Sequence, residues 1–149
     1  MATPFESAQL NLKLFHMRRD PVLREAREWF LREFTPKTFE ELLSIVQGPR
    51  NASYRMVTGY WDMAASLVTF GAIDAEMFRA AHGEIVATVA KLYPFLPQLR
   101  EVSGFPEFFI HAERVVVDMP DGKERVARIR EWFLSMPLPP KPPTGLQTD

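Results

Sequence analysis

The stretch from residue 52 to residue 70 carries apolar side chains around most of a helical circumference. A helix that is apolar on nearly all sides is normally buried among other helices. The sequence therefore predicts a central helix at 52–70, surrounded by the rest of the domain and ended by Gly71. Its apolar positions, spaced by three and four residues, are Tyr54, Val57, Tyr60, Trp61, Ala64, Leu67 and Val68.

Signals for helix starts recur along the rest of the chain. Residues 3–6 (Thr-Pro-Phe-Glu) and 38–41 (Thr-Phe-Glu-Glu) have the form of capping boxes, the first with a proline in the first turn. Asp20-Pro21 and Asp74 predict two further helix starts. Residues 119–122 (Met-Pro-Asp-Gly) predict a turn in which the glycine takes the positive φ.

The spacing of apolar residues predicts which helix faces point to the core. Leu23, Ala26, Phe30 and Phe34 form such a stripe. The alternating leucines of 10–14 leave a short strand open as an alternative for the first segment, but helical spacing there is favoured. The inward stripe expected for that first helix is Phe5, Ala8, Leu12 and Phe15. One continuous helix is predicted after Asp74, with Phe78, Ala81, Ile85, Val89 and Leu92 inward.

The C-terminal end is rich in proline. Residues 137–143 (Pro-Leu-Pro-Pro-Lys-Pro-Pro) cannot form a helix or a central strand and favour extended polyproline II. We therefore predict an all-α fold, a compact bundle of six to seven helices around the buried central helix. It forms a single domain over residues 1–136, followed by a disordered proline-rich tail over 137–149.

Charge and composition narrow the range of partners. The net charge is −1, and Arg24, Glu25, Arg27 and Glu28 alternate in sign, which is typical of a solvated helix face. No nucleic-acid partner is therefore expected. The chain has no cysteine, which excludes disulfides, thiolate metal sites and a cysteine nucleophile. No run approaches the roughly 18–20 apolar residues of a membrane span, and no signal peptide is visible. We expect a cytoplasmic protein without a membrane partner.

The sequence contains no recognisable catalytic motif. Gly-x-Ser-x-Gly, the P-loop and the dinucleotide-binding glycine pattern are all missing, and no cofactor or metal is expected. His16, His82 and His111 lie too far apart for a helical pair of ligands. We favour surface or structural roles for all three. His82 is the best functional candidate, because it lies at the margin of an apolar face, where burial can perturb its pKa.

A polar line on the central helix is the most informative feature for function. Its members recur at spacings of three and four and are Arg55, Thr58, Gly59, Asp62, Ser66 and Thr69. Arg55 and Asp62 are about 10 Å apart along the axis, too far for a simple direct pair. In one interpretation Asp62 pairs with Arg100, Arg24 or Arg27, and a glutamate or carbonyl pairs with Arg55. In the other, the line forms a small polar pocket that binds an anion at Arg55. The candidate ligand-binding residues are Arg55, Asp62, Tyr54, Trp61, His82 and Arg100.

Several short motifs follow one another in a fixed order. They are Leu12 followed by Arg18-Arg19-Asp20-Pro21, then Arg24-x-x-Arg27-x-Trp29, Tyr60-Trp61-Asp62, Gly71-x-Ile73-Asp74, Leu99-Arg100 and Gly104-x-Pro106. In this order the chain resembles a bacterial family of small helical proteins that is described only as a domain of unknown function. The resemblance covers residues 10–113. It implies a helical fold and supplies no catalytic residues.

Two functions from different classes follow from these observations. The first is a non-catalytic interaction or scaffold domain that acts through an apolar helix face and self-associates, for example as a homodimer. Its aromatic residues would anchor such an interface. The alternative is a small-molecule or anion-binding protein, conceivably an enzyme, that uses the polar line of the central helix.

Overall fold

A computed structural model of the chain describes residues 2–136 and contains no strand among them. The all-helical class is therefore confirmed for this part of the chain, with more helices than the six to seven predicted. The predicted tail over 137–149 lies outside the described residues. The helices are α1 (Pro4–Met17), α2 (Pro21–Arg32), α3 (Phe39–Val46), α4 (Asn51–Thr69), α5 (Ala75–Ala81), α6 (Glu84–Leu92), α7 (Leu96–Ser103), α8 (Ile110–Val117) and α9 (Gly122–Ser135), with a 3₁₀ turn at Tyr93–Phe95.

Helix N-termini begin where the capping signals predicted. Thr3 and Glu6 form a complete capping box: each side chain accepts a hydrogen bond from the other residue's backbone N–H, at 3.2 and 2.9 Å. Asp20 accepts from two backbone N–H groups at the start of α2. At the start of α3, the Thr38 hydroxyl accepts a hydrogen bond from the N–H of Glu41. The Glu41 carboxylate accepts from the N–H of Lys37, whereas a capping box requires the N–H of Thr38.

The predicted continuous helix after Asp74 is interrupted, which corrects that expectation. His82 leaves helical geometry (φ −122°, ψ 53°) and separates α5 from α6. Gly83, a poor helix former, occupies the N-cap of α6. The break lets the His82 ring enter the core, where its centroid lies 4.7 Å from that of Phe78 and 5.9 Å from that of Trp61.

The turn before α9 uses its glycine differently from the prediction. The positive φ (55°) belongs to Asp121, not to Gly122. Gly122 is required for space, because a Cβ atom there would overlap the backbone carbonyls of Val116 and Val117. The turn therefore packs α9 closely against the end of α8.

The core lies between α4 and its neighbours. α4 packs mainly against α2 and α8, while α6 packs against α9 and α8. One side of α4 is buried, but Arg55, Met56, Gly59 and Met63 on the other side are exposed. The expectation of an enclosed rod is therefore wrong, because neighbouring helices leave a broad face uncovered. The buried residues of α4 are Tyr54, Val57, Thr58, Tyr60, Trp61, Ala64 and Ala65.

α1 presents to the core a face other than the predicted one. Phe5 and Leu12, expected inward, are each 71% exposed. Hydrogen bonds orient the opposite face inward: Ser7 Oγ accepts from the N–H of Asp74, and the Leu14 carbonyl accepts from the Tyr60 hydroxyl at 2.6 Å. Of the predicted stripe, Phe5 and Leu12 therefore face away from the core, while Ala8 is half-buried and the Phe15 ring lies 5.8 Å from that of the buried His82.

Candidate functional site

Asp62, on the polar line of α4, caps a neighbouring helix. Its Oδ1 accepts hydrogen bonds from the backbone N–H groups of His111 and Ala112, at 2.9 and 3.0 Å. These groups lie in the first turn of α8, whose own N-cap residue, Phe109, has a left-handed backbone and provides no side-chain cap. Asp62 thus supplies the acceptor that a helix start requires. Its predicted pairing with an arginine is wrong.

The two arginines assigned to the polar line have other partners. Arg55 is exposed, and its Nε donates to Asn51 Oδ1 one turn earlier at 2.8 Å. Arg100 donates to the Phe108 carbonyl and forms an ion pair with Glu113 at 2.8 Å. Neither arginine therefore bonds to Asp62: Arg55 bonds within α4, and Arg100 bonds to residues 108 and 113.

Tyr54, Trp61 and His82 are all buried. Tyr54 packs against Phe34 and Phe108, and burial raises the pKa of its phenol well above the usual range. Trp61 and His82 contact each other through their rings. The six candidate residues therefore do not form one pocket: Arg55 is on the exposed side of α4, Asp62 and Arg100 bond to the start of α8, and the other three are in the core.

His82 has the environment of a core histidine. Its Nε2–H donates to Asn11 Oδ1 at 2.7 Å, and no described residue hydrogen-bonds its buried Nδ1. The pKa of the imidazole is lowered to about 4, mainly because burial disfavours its charged form and secondly because Arg18 is positively charged, while Glu84 partly opposes both effects. His82 is therefore neutral at physiological pH.

An ion-pair network next to His82 joins three helices. Glu84, the first residue of α6, accepts from Nε of Arg27 at 2.9 Å and from Nη2 of Arg18 at 2.7 Å. Arg27 also donates to the Arg18 carbonyl at the end of α1. Both guanidiniums are largely covered, with side-chain exposures of 15% for Arg18 and 13% for Arg27. The network fixes the end of α1 against α2.

A cleft of about 660 Å³ opens above this network. Phe15 and Leu31 provide apolar lining, and Glu28 is the one carboxylate among the lining residues. The remaining lining residues are the arginines Arg18, Arg19, Arg24, Arg27 and Arg32. This is a concentration of positive charge in a chain whose net charge is −1.

Sequence reasoning missed this arginine cleft. Alternating Arg and Glu residues in α2 suggested local charge pairs, of which Glu28–Arg32 is the one that forms within the helix. Glu25 pairs instead with Arg50, and neither residue lines the cleft. The sequence did contain a signal for this site: five arginines lie within residues 18–32, some before and some after the predicted helix start at Asp20-Pro21.

A second surface feature lies along α1, beside its outward stripe. A groove of about 770 Å³ runs between this helix and the loop at Ala72. Leu10, Leu12 and Ala72 line it, together with charged residues at either end, Glu6 and Lys13. α1 therefore carries both protruding apolar side chains and an adjacent recess.

Residues 4–119 match a family described as "Domain of unknown function (DUF4760)". The chain belongs to DUF4760. This confirms the resemblance found in the sequence. The comparisons with curated proteins and with solved structures find no match.

The described residues of this DUF4760 member show neither a membrane-spanning helix nor a metal-binding cluster. None of the helices in residues 2–136 combines the length and the apolarity needed to cross a membrane. Over the same residues, His, Asp and Glu side chains do not assemble in groups of three that could hold a metal ion.

α9 lies beyond the range of the DUF4760 match and covers a buried lysine. Lys91 is 1% exposed, and its Nζ donates to the carbonyls of Phe30 and Leu31 at the end of α2, both at 2.7 Å. The ring of Phe133 from α9 lies 4.0 Å from the ammonium. Burial lowers the pKa of this lysine to about 7. Lys91, on α6, thus contacts both α2 and α9. Nothing in the pattern of the sequence around it predicted that this lysine would be buried.

Proposed function

We propose that this DUF4760 domain is a non-catalytic interaction domain that self-associates through α1. The observation that carries the proposal is that two large apolar side chains of α1, Phe5 and Leu12, are left exposed by the rest of the described domain. Phe5 and Leu12, two turns apart, are the most exposed large apolar side chains of α1. Large apolar side chains in one exposed row are typical of interaction sites.

A second copy of the chain fits this surface better than an unrelated partner. In a two-fold interface the same patch meets itself, so it must be complementary to itself. α1 meets this requirement, because the protruding Phe5 and Leu12 lie beside the groove lined by Leu10 and Ala72. A side chain from one copy can enter the recess of the other.

Charge complementarity favours an antiparallel arrangement of the two helices. Glu6 lies near the N-terminal end of α1, and Lys13 lies seven residues later on the same side. In an antiparallel pair the acidic end of one helix lies beside the basic end of the other. Glu6 of each copy then faces Lys13 of its partner, while a parallel pair would place like charges together.

The proposed interface is small, so we expect a weak dimer. Full burial of a Phe or Leu side chain contributes about 1.5–3 kcal/mol. Two such residues from each copy must exceed an association cost of at least about 4 kcal/mol, and only the surplus appears as affinity. A surplus of about 5 kcal/mol corresponds to dissociation in the high micromolar range, which is the expected result.

Sedimentation velocity over low to high micromolar concentrations tests the proposal. The wild-type chain should shift from monomer to dimer, and Leu12→Glu should remain monomeric, because it places a charge in the interface. Val102→Glu is the matched control, since Val102 is similarly exposed (64%) but lies on α7. A wild-type chain that stays monomeric at high micromolar concentration, or equal dissociation of both variants, would overturn the proposal.

A further inference from the structure

We propose that the arginine cleft between the end of α1 and α2 is a binding site for a phosphate-bearing ligand. The site is separate from the polar line of α4 and from Phe5 and Leu12, the two α1 residues on which self-association depends. Its five arginines converge on one opening, although they come from the C-terminal end of α1, the α1–α2 turn and α2.

Carboxylates pair with only some of the cleft arginines. The underlying Glu84 is shared by Arg18 and Arg27, and Glu28 pairs with Arg32. Two carboxylates therefore serve three of the five guanidiniums. Within residues 2–136, neither Arg19 nor Arg24 takes part in an ion pair. An excess of positive charge in one concave place attracts anions and increases their rate of association.

The two inner arginines are held in place before any ligand arrives. Glu84 orients both guanidiniums, and that of Arg18 also lies over the rings of Phe15 and Trp61, at 4.7 and 5.5 Å from the centroids. An ordered side chain loses less conformational freedom on binding than a solvated one. This distinguishes Arg18 and Arg27 from the mobile arginines of an ordinary solvated helix face.

The shape and chemistry of the cleft favour a phosphate group. A guanidinium presents a planar fork of donors that matches two phosphate oxygens. Arg27 already uses all three nitrogens on Glu84 and on the Arg18 carbonyl. Arg19 and Arg24 are therefore the residues whose forks can meet the phosphate. The volume of about 660 Å³ lies in the range of small-molecule sites. Phe15 and Leu31 add an apolar wall, so the ligand should carry an apolar or ring-containing part beside its phosphate. A free phosphorylated compound and a phospholipid headgroup both have this chemistry.

Calorimetric titration with inorganic pyrophosphate tests the site, in buffers of matched ionic strength. Arg24→Gln should weaken binding about tenfold, because it removes one charged donor. Arg24 is exposed and has no structural partner among the described residues, so the variant should fold. Arg125→Gln is the control, since it removes an exposed arginine of α9 and changes the net charge equally. In a second arm of the test, the same three proteins are mixed with phosphatidylcholine vesicles containing phosphatidic acid, and the fraction of protein that co-sediments with the vesicles is measured.

The two arms distinguish the sources of phosphate. Pyrophosphate binding that Arg24→Gln weakens and Arg125→Gln preserves supports a free phosphorylated ligand. The same pattern with vesicles alone supports a phosphate presented on a lipid surface. Absence of binding in both arms, or equal weakening by both variants, overturns the proposal. Neither arm depends on Leu12, so loss of dimerisation leaves this test unaffected.

Discussion

Replacing Lys91 by Met should remove a pH dependence of stability that the buried amine creates. Lys91 Nζ is enclosed by the carbonyls of Phe30 and Leu31 and by the ring of Phe133. A neutral amine retains two N–H donors, enough for both carbonyls. The hydrogen bonds can therefore persist when the lysine loses its proton, while burial penalises the charged form.

The sign of the effect follows from the two pKa values. Burial lowers the pKa of Lys91 from 10.5 to about 7 in the folded protein. Between these values the unfolded chain binds the proton more often than the folded chain, so the free energy of unfolding rises with pH. The gain amounts to about 2 kcal/mol between about pH 7 and about pH 9. It is lost again as the pH falls from about 9 to about 7, and below that the curve levels off because both states bind the proton.

Urea unfolding followed by circular dichroism, at several pH values across this window, measures the effect. The upper limit of about pH 9 stays below about pH 10, where Tyr60 begins to ionise in the unfolded chain but not in the folded one, in which burial raises its pKa to about 12. In Lys91→Met the free energy of unfolding should no longer rise between about pH 7 and about pH 9, whatever the effect of the substitution on absolute stability. In Lys123→Met, at an exposed position of α9, it should rise as in the wild type. Equal pH slopes in the wild type and in Lys91→Met would refute the argument that burial governs the charge of Lys91.

Two further predictions concern His82 and Asp62. Because burial lowers the pKa of His82 from 6.5 to about 4, the wild type should lose about 3 kcal/mol as the pH falls through this range. His82→Gln should flatten that loss in urea unfolding and His16→Gln should not; identical acid profiles would contradict it. Asp62→Ala should cost about 1–2 kcal/mol in thermal unfolding, because two N–H groups of α8 lose their acceptor. Asp118→Ala, at an exposed position, is the control, and a loss of equal size there would disprove the capping role.

Features that depend on neighbours within a helical turn were predictable from the sequence. Thr3, Asp20 and Thr38 begin their helices as expected, because a cap bonds to backbone only two or three residues away. The inward stripe of α2 is correct as well: Leu23, Ala26, Phe30 and Phe34 are all buried.

The candidate site depended on contacts between distant residues, so local pattern did not reveal it. Glu84 is 57 residues from Arg27, and Asp62 is 49 residues from His111. Nothing in the spacing of the α4 polar line indicates that Asp62 caps a helix start or that Arg55 faces water.

The sequence by itself determined where α1, α2, α3 and α5 begin, the core stripe of α2 and the family to which the chain belongs. Only the tertiary structure decided which face of α1 turns inward. An amphipathic pattern shows that an apolar stripe exists, but hydrogen bonds of Ser7 and Leu14 to other helices orient the opposite face to the core. The same packing brings the arginines of α1 and α2 together over Glu84, because side chains from three helices meet only after the helices have docked.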